Sequence, residues 1–194
     1  LLISFFFSKN HTEYKNKKAG TFGETGNFSF YANKNITTGE GGMLICNKKK
    51  TSDMVKILRL HGMSKDAWKR YLPDNVNPKK GSFHYDVKLT GFKYNMTDIQ
   101  AALGSSQLQK INIMWKKRKE LYENYKKKLN NLPIFFQQSP FKNFKNGYHL
   151  FVLIFDKKKT KKKRDDLMKY LNKKGIGTAV HYRSVTEMSY YKKK

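Results

Sequence analysis

The sequence predicts an α/β protein, on three observations. Short apolar runs at 28–31, 42–46 and 148–155 have strand length and are bounded by polar or glycine-rich stretches. Longer segments between them repeat their apolar residues at helical spacing. Thr97 followed by Gln100 is the capping pattern that opens a helix. With 194 residues the chain can hold one domain with a sizeable core, or parts of two.

Taken in order, 28–31 and 42–46 read as short buried strands flanking a loop that carries Lys34. Thr51 is expected to cap a helix running to about Gly62, with Met54, Val55 and Leu58 on its inner side. Pro73, Pro78 and Gly81 mark a loop around 74–81. The helix opened by Thr97 should turn Ile99 and Leu103 inward. Leu108, Ile111, Trp115, Tyr122, Tyr125 and Leu129 then describe one long amphipathic helix. Its aromatic residues read as core or dimer contacts rather than ligand-stacking groups. Pro133 ends the helical region, and 137–147 is a polar connection. A strand is expected at 148–155. Leu167, Tyr170 and Leu171 mark a helix stopped by Gly175, and 177–182 returns as a strand.

Charge narrows the classes of function. Lys and Arg number 41 against 14 Asp and Glu, for a net charge of +27. Such a surface attracts nucleic acid or anionic membrane through counterion release. The positive charge is nearly all lysine, however, with Arg59, Arg70, Arg118, Arg164 and Arg183 as the arginines. Base readers and phosphate clamps rely on arginine forks. The lysine runs at 48–50, 126–128, 157–163 and 192–194 read as solvated surface, so nucleic acid is expected only as a nonspecific partner. No apolar run approaches the ~18 residues that span a bilayer. The apolar opening 1–7 lacks a basic region before it and a cleavage site after it, so a secretory signal and a membrane partner are not expected. Cys46 is the sole cysteine, which fits a cytoplasmic location. Asn-x-Ser/Thr triplets at Asn10, Asn27, Asn35 and Asn95 read as coincidence in an Asn-rich chain. His61, His84, His149 and His181 have no metal-ligand spacing, and no metal is expected.

The most informative stretch is Phe28-Ser29-Phe30-Tyr31-Ala32-Asn33-Lys34-Asn35-Ile36-Thr37-Thr38-Gly39-Glu40-Gly41-Gly42. An aromatic strand delivers one lysine into a loop, followed by two threonines and clustered glycines. That placement suits an amine that must reach a carbonyl cofactor at a sheet edge, where desolvation favours the neutral, nucleophilic form.

These residues resemble the pyridoxal-phosphate-dependent sugar aminotransferases of the DegT/StrS group, fold-type I enzymes. The resemblance continues through His61-Gly62-Met63-Ser64-Lys65-Asp66-Ala67-Trp68-Lys69-Arg70-Tyr71 and Met96-Thr97-Asp98-Ile99-Gln100-Ala101-Ala102-Leu103-Gly104, and resumes at Gly175-Ile176-Gly177-Thr178-Ala179-Val180-His181-Tyr182. Four blocks in order make it specific. It implies the C-terminal part of a large cofactor-binding domain over 1–107, a linking helix over 108–137 and a small α+β domain over 138–194. The chain is accordingly read as the C-terminal half of a longer protein.

By resemblance, Lys34 is the Schiff-base lysine and the base that moves the proton in amino transfer; relatives with histidine there dehydrate instead. Ser29 matches a serine that holds the cofactor phosphate, beside its plain role as a strand serine. Thr37, Thr38 and the glycines at 39–42 let backbone approach the cofactor or sugar, or form a tight turn; the two readings are compatible. His181 and Tyr182 match a segment lining the substrate cleft, with a packed histidine as the plain alternative. The implied reaction takes glutamate as donor and a keto nucleotide-sugar as acceptor, in a cytoplasmic homodimer that shares its active site.

Three departures stand out. The family's Glu-Asp-x-x-His motif, whose Asp pairs with the pyridine nitrogen, falls on Ser4, Phe5 and Ser8 by ungapped counting. Phenylalanine cannot keep a pyridinium protonated. The family's Gly-Tyr-Asn-Tyr-Arg-Met reads Gly91-Phe92-Lys93-Tyr94-Asn95-Met96, so Lys93 stands where an Asn meets the neighbouring subunit's cofactor phosphate. Lysine can meet that phosphate only as a point charge. After Tyr182, Arg183-Ser184-Val185-Thr186 lacks the family's Pro and second His. The family's N-terminal half supplies the phosphate turn, the ring-stacking aromatic and much of the sugar pocket, so this chain is not expected to turn over alone. A degenerate non-catalytic remnant and a basic nucleic-acid-binding module remain as alternatives.

Overall fold

The computed structural model describes residues 12–64, 85–137, 142–156, 158–160 and 163–192. The positions of Ser4, Phe5 and Ser8, the block at 65–71, the expected loop at 74–81 and His84 lie outside the described residues. In chain order the strands are β1 (Glu13–Tyr14), β2 (Lys17–Lys18), β3 (Thr25–Ser29), β4 (Gly42–Cys46), β5 (Ile134–Phe136), β6 (Phe144–Lys145) and β7 (Leu153–Phe155). The helices are α1 (Lys49–Leu58), α2 (Asp98–Gln109), α3 (Ile111–Leu129), α4 (Arg164–Lys173) and α5 (Ser189–Lys192).

The chain forms two compact units, residues 1–125 with 138–151, and residues 126–137 with 152–194. In the first, β3 and β4 are antiparallel, in register from Thr25↔Cys46 to Ser29↔Gly42. A second small sheet has the order β2-β1-β6. In the second unit β5 pairs with β7, Ile134 opposite Phe155. The helix α4 ends as expected at Gly175, whose φ of +76° suits glycine. Ile176 N–H closes that end on Leu171 O at 2.9 Å.

Several elements differ from expectation. Lys48, not Thr51, is the N-cap of α1, and the Thr51 hydroxyl instead donates to Glu24 Oε1 at 3.0 Å. The ion pair Lys48–Glu24 joins the same corner at 3.2 Å. Met54 is exposed. The periodic stripe beginning at Leu108 is split between two helices, because the chain turns at Lys110, whose N–H donates to Gln107 O at 3.1 Å. The strand expected at 148–155 is paired only over Leu153–Phe155: Tyr148 has φ +47°, incompatible with an extended ladder. Residues 177–182 lie outside every strand among the described residues, and Ile176 and Val180 are exposed, so these residues give the segment neither ladder nor cover. Conversely, β6 forms within the expected polar connection, held by β1.

The buried apolar side chains among the described residues are Ile36 and Leu60. Met43 at 49% and Leu44 at 37% are exposed although read as a buried strand, and Ile99 is 84% exposed although read as inward. An alternating pattern marks which residues can be covered; it does not supply the element that covers them. The core position that matters here is Ile36, two residues beyond Lys34.

Candidate active site

The strand β3 ends at Ser29, and the chain then makes a closed excursion before returning as β4. Phe30 N–H donates to Gly41 O at 2.8 Å and Thr38 N–H to Phe30 O at 2.9 Å, which closes the neck of the loop. Within it, Lys34 N–H donates to Tyr31 O at 3.0 Å, and Tyr31 N–H donates to Ser29 Oγ at 3.3 Å. The main chain of Tyr31 therefore links the predicted phosphate serine to the backbone of Lys34. Ser29 Oγ accepts in this bond and keeps its own proton to donate. Lys34 is half-buried.

Thr37 and Thr38 hold the loop's shape. The Thr37 hydroxyl donates to Phe30 O at 3.1 Å and accepts from Gly39 N–H at 2.9 Å. The buried Thr38 hydroxyl donates to Glu40 O at 2.7 Å. Both hydroxyl protons are spent on loop carbonyls, leaving the backbone as the part able to meet a ligand. Gly39, at φ +78°, would place a Cβ in open space, so its accessible side is kept clear by conformation and not by crowding.

The helix α2 grips this loop through residues that the sequence reading passed over. Gln100 Nε2 donates to Glu40 O at 2.8 Å, and Gln107 Oε1 accepts from Thr37 N–H at 3.3 Å. Between them, a Cβ on Gly104 would lie 3.1 Å from Thr38 Cγ2. These are positions i, i+4 and i+7 of one helical face. The apolar residues Ile99 and Leu103 lie on another face, which is why a search for an apolar stripe chose wrongly. The capping box at Thr97 is present as expected: Gln100 N–H donates to Thr97 Oγ1 at 3.3 Å and Thr97 N–H to Gln100 Oε1 at 2.9 Å. Gln100 thus orients the helix start and the loop together.

On the other side, Asn35 Nδ2 donates to Gly147 O at 2.8 Å, and Asn35 Oδ1 lies 3.2 Å from His149 Nδ1. The segment holding Lys93 is bonded to the end of α1, through an isolated bridge to Leu60 and a bond from Tyr94 N–H to Arg59 O at 2.8 Å. Lys93 itself is exposed. Three residues on, the Met96 methyl sits 3.4 Å from where a Gly41 Cβ would be, so this segment borders the lysine loop. His181 and Tyr182 belong to the second unit, exposed, with ring centroids 3.7 Å apart. In the first unit, burial and then the Glu123 carboxylate raise the Tyr122 and Tyr148 phenols above the ordinary range. Among the described residues no group of three His, Cys, Asp or Glu could hold a metal ion.

A model of the DegT/DnrJ/EryC1/StrS aminotransferase family matches residues 10–194. The chain belongs to this family. It is 39% identical over 184 residues to the spore coat polysaccharide biosynthesis protein SpsC of Bacillus subtilis, covering 94% of the chain and 46% of SpsC. It superposes on Spr1654 of Streptococcus pneumoniae in the PMP form with a TM-score of 0.80 and 28% identity, covering 94% of the chain and 45% of that structure. Helicobacter pylori PseC, an aminotransferase involved in pseudoaminic acid biosynthesis, gives a TM-score of 0.78 at 31% identity, again over 94% and 45%. The chain therefore spans a little under half the length of the relatives it matches. The fold is that part of a fold-type I aminotransferase, and pyridoxal phosphate is the cofactor of the family. The family chemistry needs an amine and a hydrogen-bond donor for the phosphate presented together. The Ser29–Tyr31–Lys34 turn and the clear side of Gly39 fit that need.

Proposed function

We propose that this chain is the lysine-bearing part of a pyridoxal-phosphate-dependent aminotransferase acting on a keto nucleotide-sugar, with glutamate as amino donor. The observation that carries the reading is the Lys34 loop, a half-buried lysine on backbone held from both sides by α2 and by Gly147. When bound, the cofactor supplies an aldehyde carbon for an amine and a ring that absorbs carbanion charge. Lys34 Nζ is the group that would bond to that aldehyde and afterwards carry a proton between carbons as general base and acid. Ser29 Oγ would donate to a phosphate oxygen, and Lys93 would offer a point charge to the phosphate bound by a second copy. Backbone at Thr37 to Gly39 would line the sugar side.

A homodimer with shared sites fits the exposed aromatics Phe92 and Tyr94, stacked at 5.1 Å, and the exposed Ile99 and Leu103. The test is direct. The complete protein, loaded with pyridoxal phosphate and reduced with borohydride, should yield a phosphopyridoxyl-modified peptide at Lys34. Lys34→Ala should abolish the visible absorbance of the bound cofactor. Unchanged absorbance in that variant would exclude Lys34 as the anchor.

A further inference from the structure

Asn35 follows Lys34 directly, and its side chain is held at both ends. The Gly147 carbonyl can only accept a hydrogen bond, so the amide nitrogen must face it, at 2.8 Å. The amide oxygen is left facing His149 Nδ1 at 3.2 Å, and it too can only accept. The ring nitrogen must therefore carry the hydrogen. Neutral His149 is the Nδ1–H tautomer, a conclusion fixed by two acceptors although no hydrogen position is seen.

The far side of this contact is itself anchored. Tyr148, between Gly147 and His149, has φ +47°, a left-handed conformation that costs a bulky residue free energy. Its N–H donates to Asn146 Oδ1 at 2.8 Å, and Asn146 O accepts from the Trp115 indole at 2.9 Å. The Tyr148 ring lies 5.8 Å from Trp115 and 5.2 Å from Tyr122, both on α3. Residues 146–149 are thus pinned to a helix on one side and to Asn35 on the other. Gly147, whose carbonyl accepts from Asn35 Nδ2, is buried.

We propose that Asn35 and His149 are positioning residues for Lys34, a hydrogen-bonded bracket that ties the backbone bearing the amine to the pinned turn at 146–149. The inference rests on the reading of Lys34 as the cofactor-binding lysine. A lysine that must bond, leave and return needs a mobile Nζ on a fixed Cα, and the bracket acts on the residue next to that Cα. It acts on the amine through the backbone of Lys34.

Two measurements on the complete protein test this. With ¹⁵N-labelled histidine at about pH 8, above the ordinary imidazole range, His149 should show a protonated Nδ1 and an unprotonated Nε2. Asn35→Ala should lower the fraction of the ring in that Nδ1–H form. Next, pyridoxal phosphate followed by borohydride should modify Lys34 in preference to exposed Lys56. That preference should fall about five- to tenfold in His149→Phe, one net hydrogen bond's worth, and at least as far in Asn35→Ala, which removes two. His149→Gln, whose amide can still donate to Asn35 Oδ1, should stay within about twofold of the parent and guards against misfolding in the other two. An Nε2–H ring in the parent, or an unchanged preference in both deletion variants, overturns the bracket alone. No preference for Lys34 in the parent overturns the cofactor reading and the bracket with it.

Discussion

At the scale of single residues, the lysine loop keeps its shape through side chains that bond its own backbone. Thr37 and Thr38 use their hydroxyls to close the loop, and Gln107 supplies the acceptor that the Thr37 N–H needs. Glycines set the limits elsewhere. Gly62 has φ +75°, and a Cβ there would collide with Leu89 O. Gly62→Ala should therefore destabilise the chain by about 2 kcal/mol or more, read as a lowered urea midpoint with an unchanged slope. An unchanged midpoint would mean that the close approach of Gly62 to the 89–91 segment is not maintained in solution. The phenols of Tyr122 and Tyr148 give a pH signature. Their folded-state pKa is raised, chiefly by burial, so their contribution is whole below the ordinary tyrosine range and is lost as pH climbs through the folded value. Alkaline denaturation followed in Tyr122→Phe should consequently be shallower than in the parent chain.

At the scale of elements, legibility divides by mechanism. The Thr97 box was readable because capping is local: the partners lie three residues apart and need nothing from elsewhere. Thr97→Ala should cost about 1 kcal/mol, seen in thermal unfolding, and should also loosen the Gln100 contact to Glu40. The start of α1 was misread for the opposite reason. Thr51 looks like a cap in sequence, yet Glu24, 27 residues earlier, takes its hydroxyl. Likewise, 148–155 has strand composition throughout, but Tyr148 is bent out of the ladder by contacts with α3.

At the scale of the whole molecule, charge is the dominant surface property. A net charge of +27 made mostly of lysine should give weak polyanion binding without sequence preference. A titration of an arbitrary oligonucleotide from about 50 to 200 mM salt should lose most of the affinity. Retention at the upper end, or preference for one sequence, would favour the binding-module reading instead. The exposed Met43, Leu44, Ile99 and Leu103 belong to the same scale: their sequence pattern asks for cover that the described residues do not provide. In the complete protein, hydrogen exchange across β4 and α2 should be slower than in this chain by itself.

By itself, the sequence determined the family, through the order of Ser29, Lys34, the threonines and glycines, and several local signals of caps and helix ends. These are short-range, set by covalent spacing and backbone preference. Tertiary structure alone decided what holds that chemistry in place. Gln100, Gly104 and Gln107 on one face, and Gly147 with His149 on the other, are up to 114 residues from the loop positions they contact. A polar side chain at such a distance has no periodicity to announce it, because its partner is chosen by the path of the whole chain and not by its neighbours in sequence.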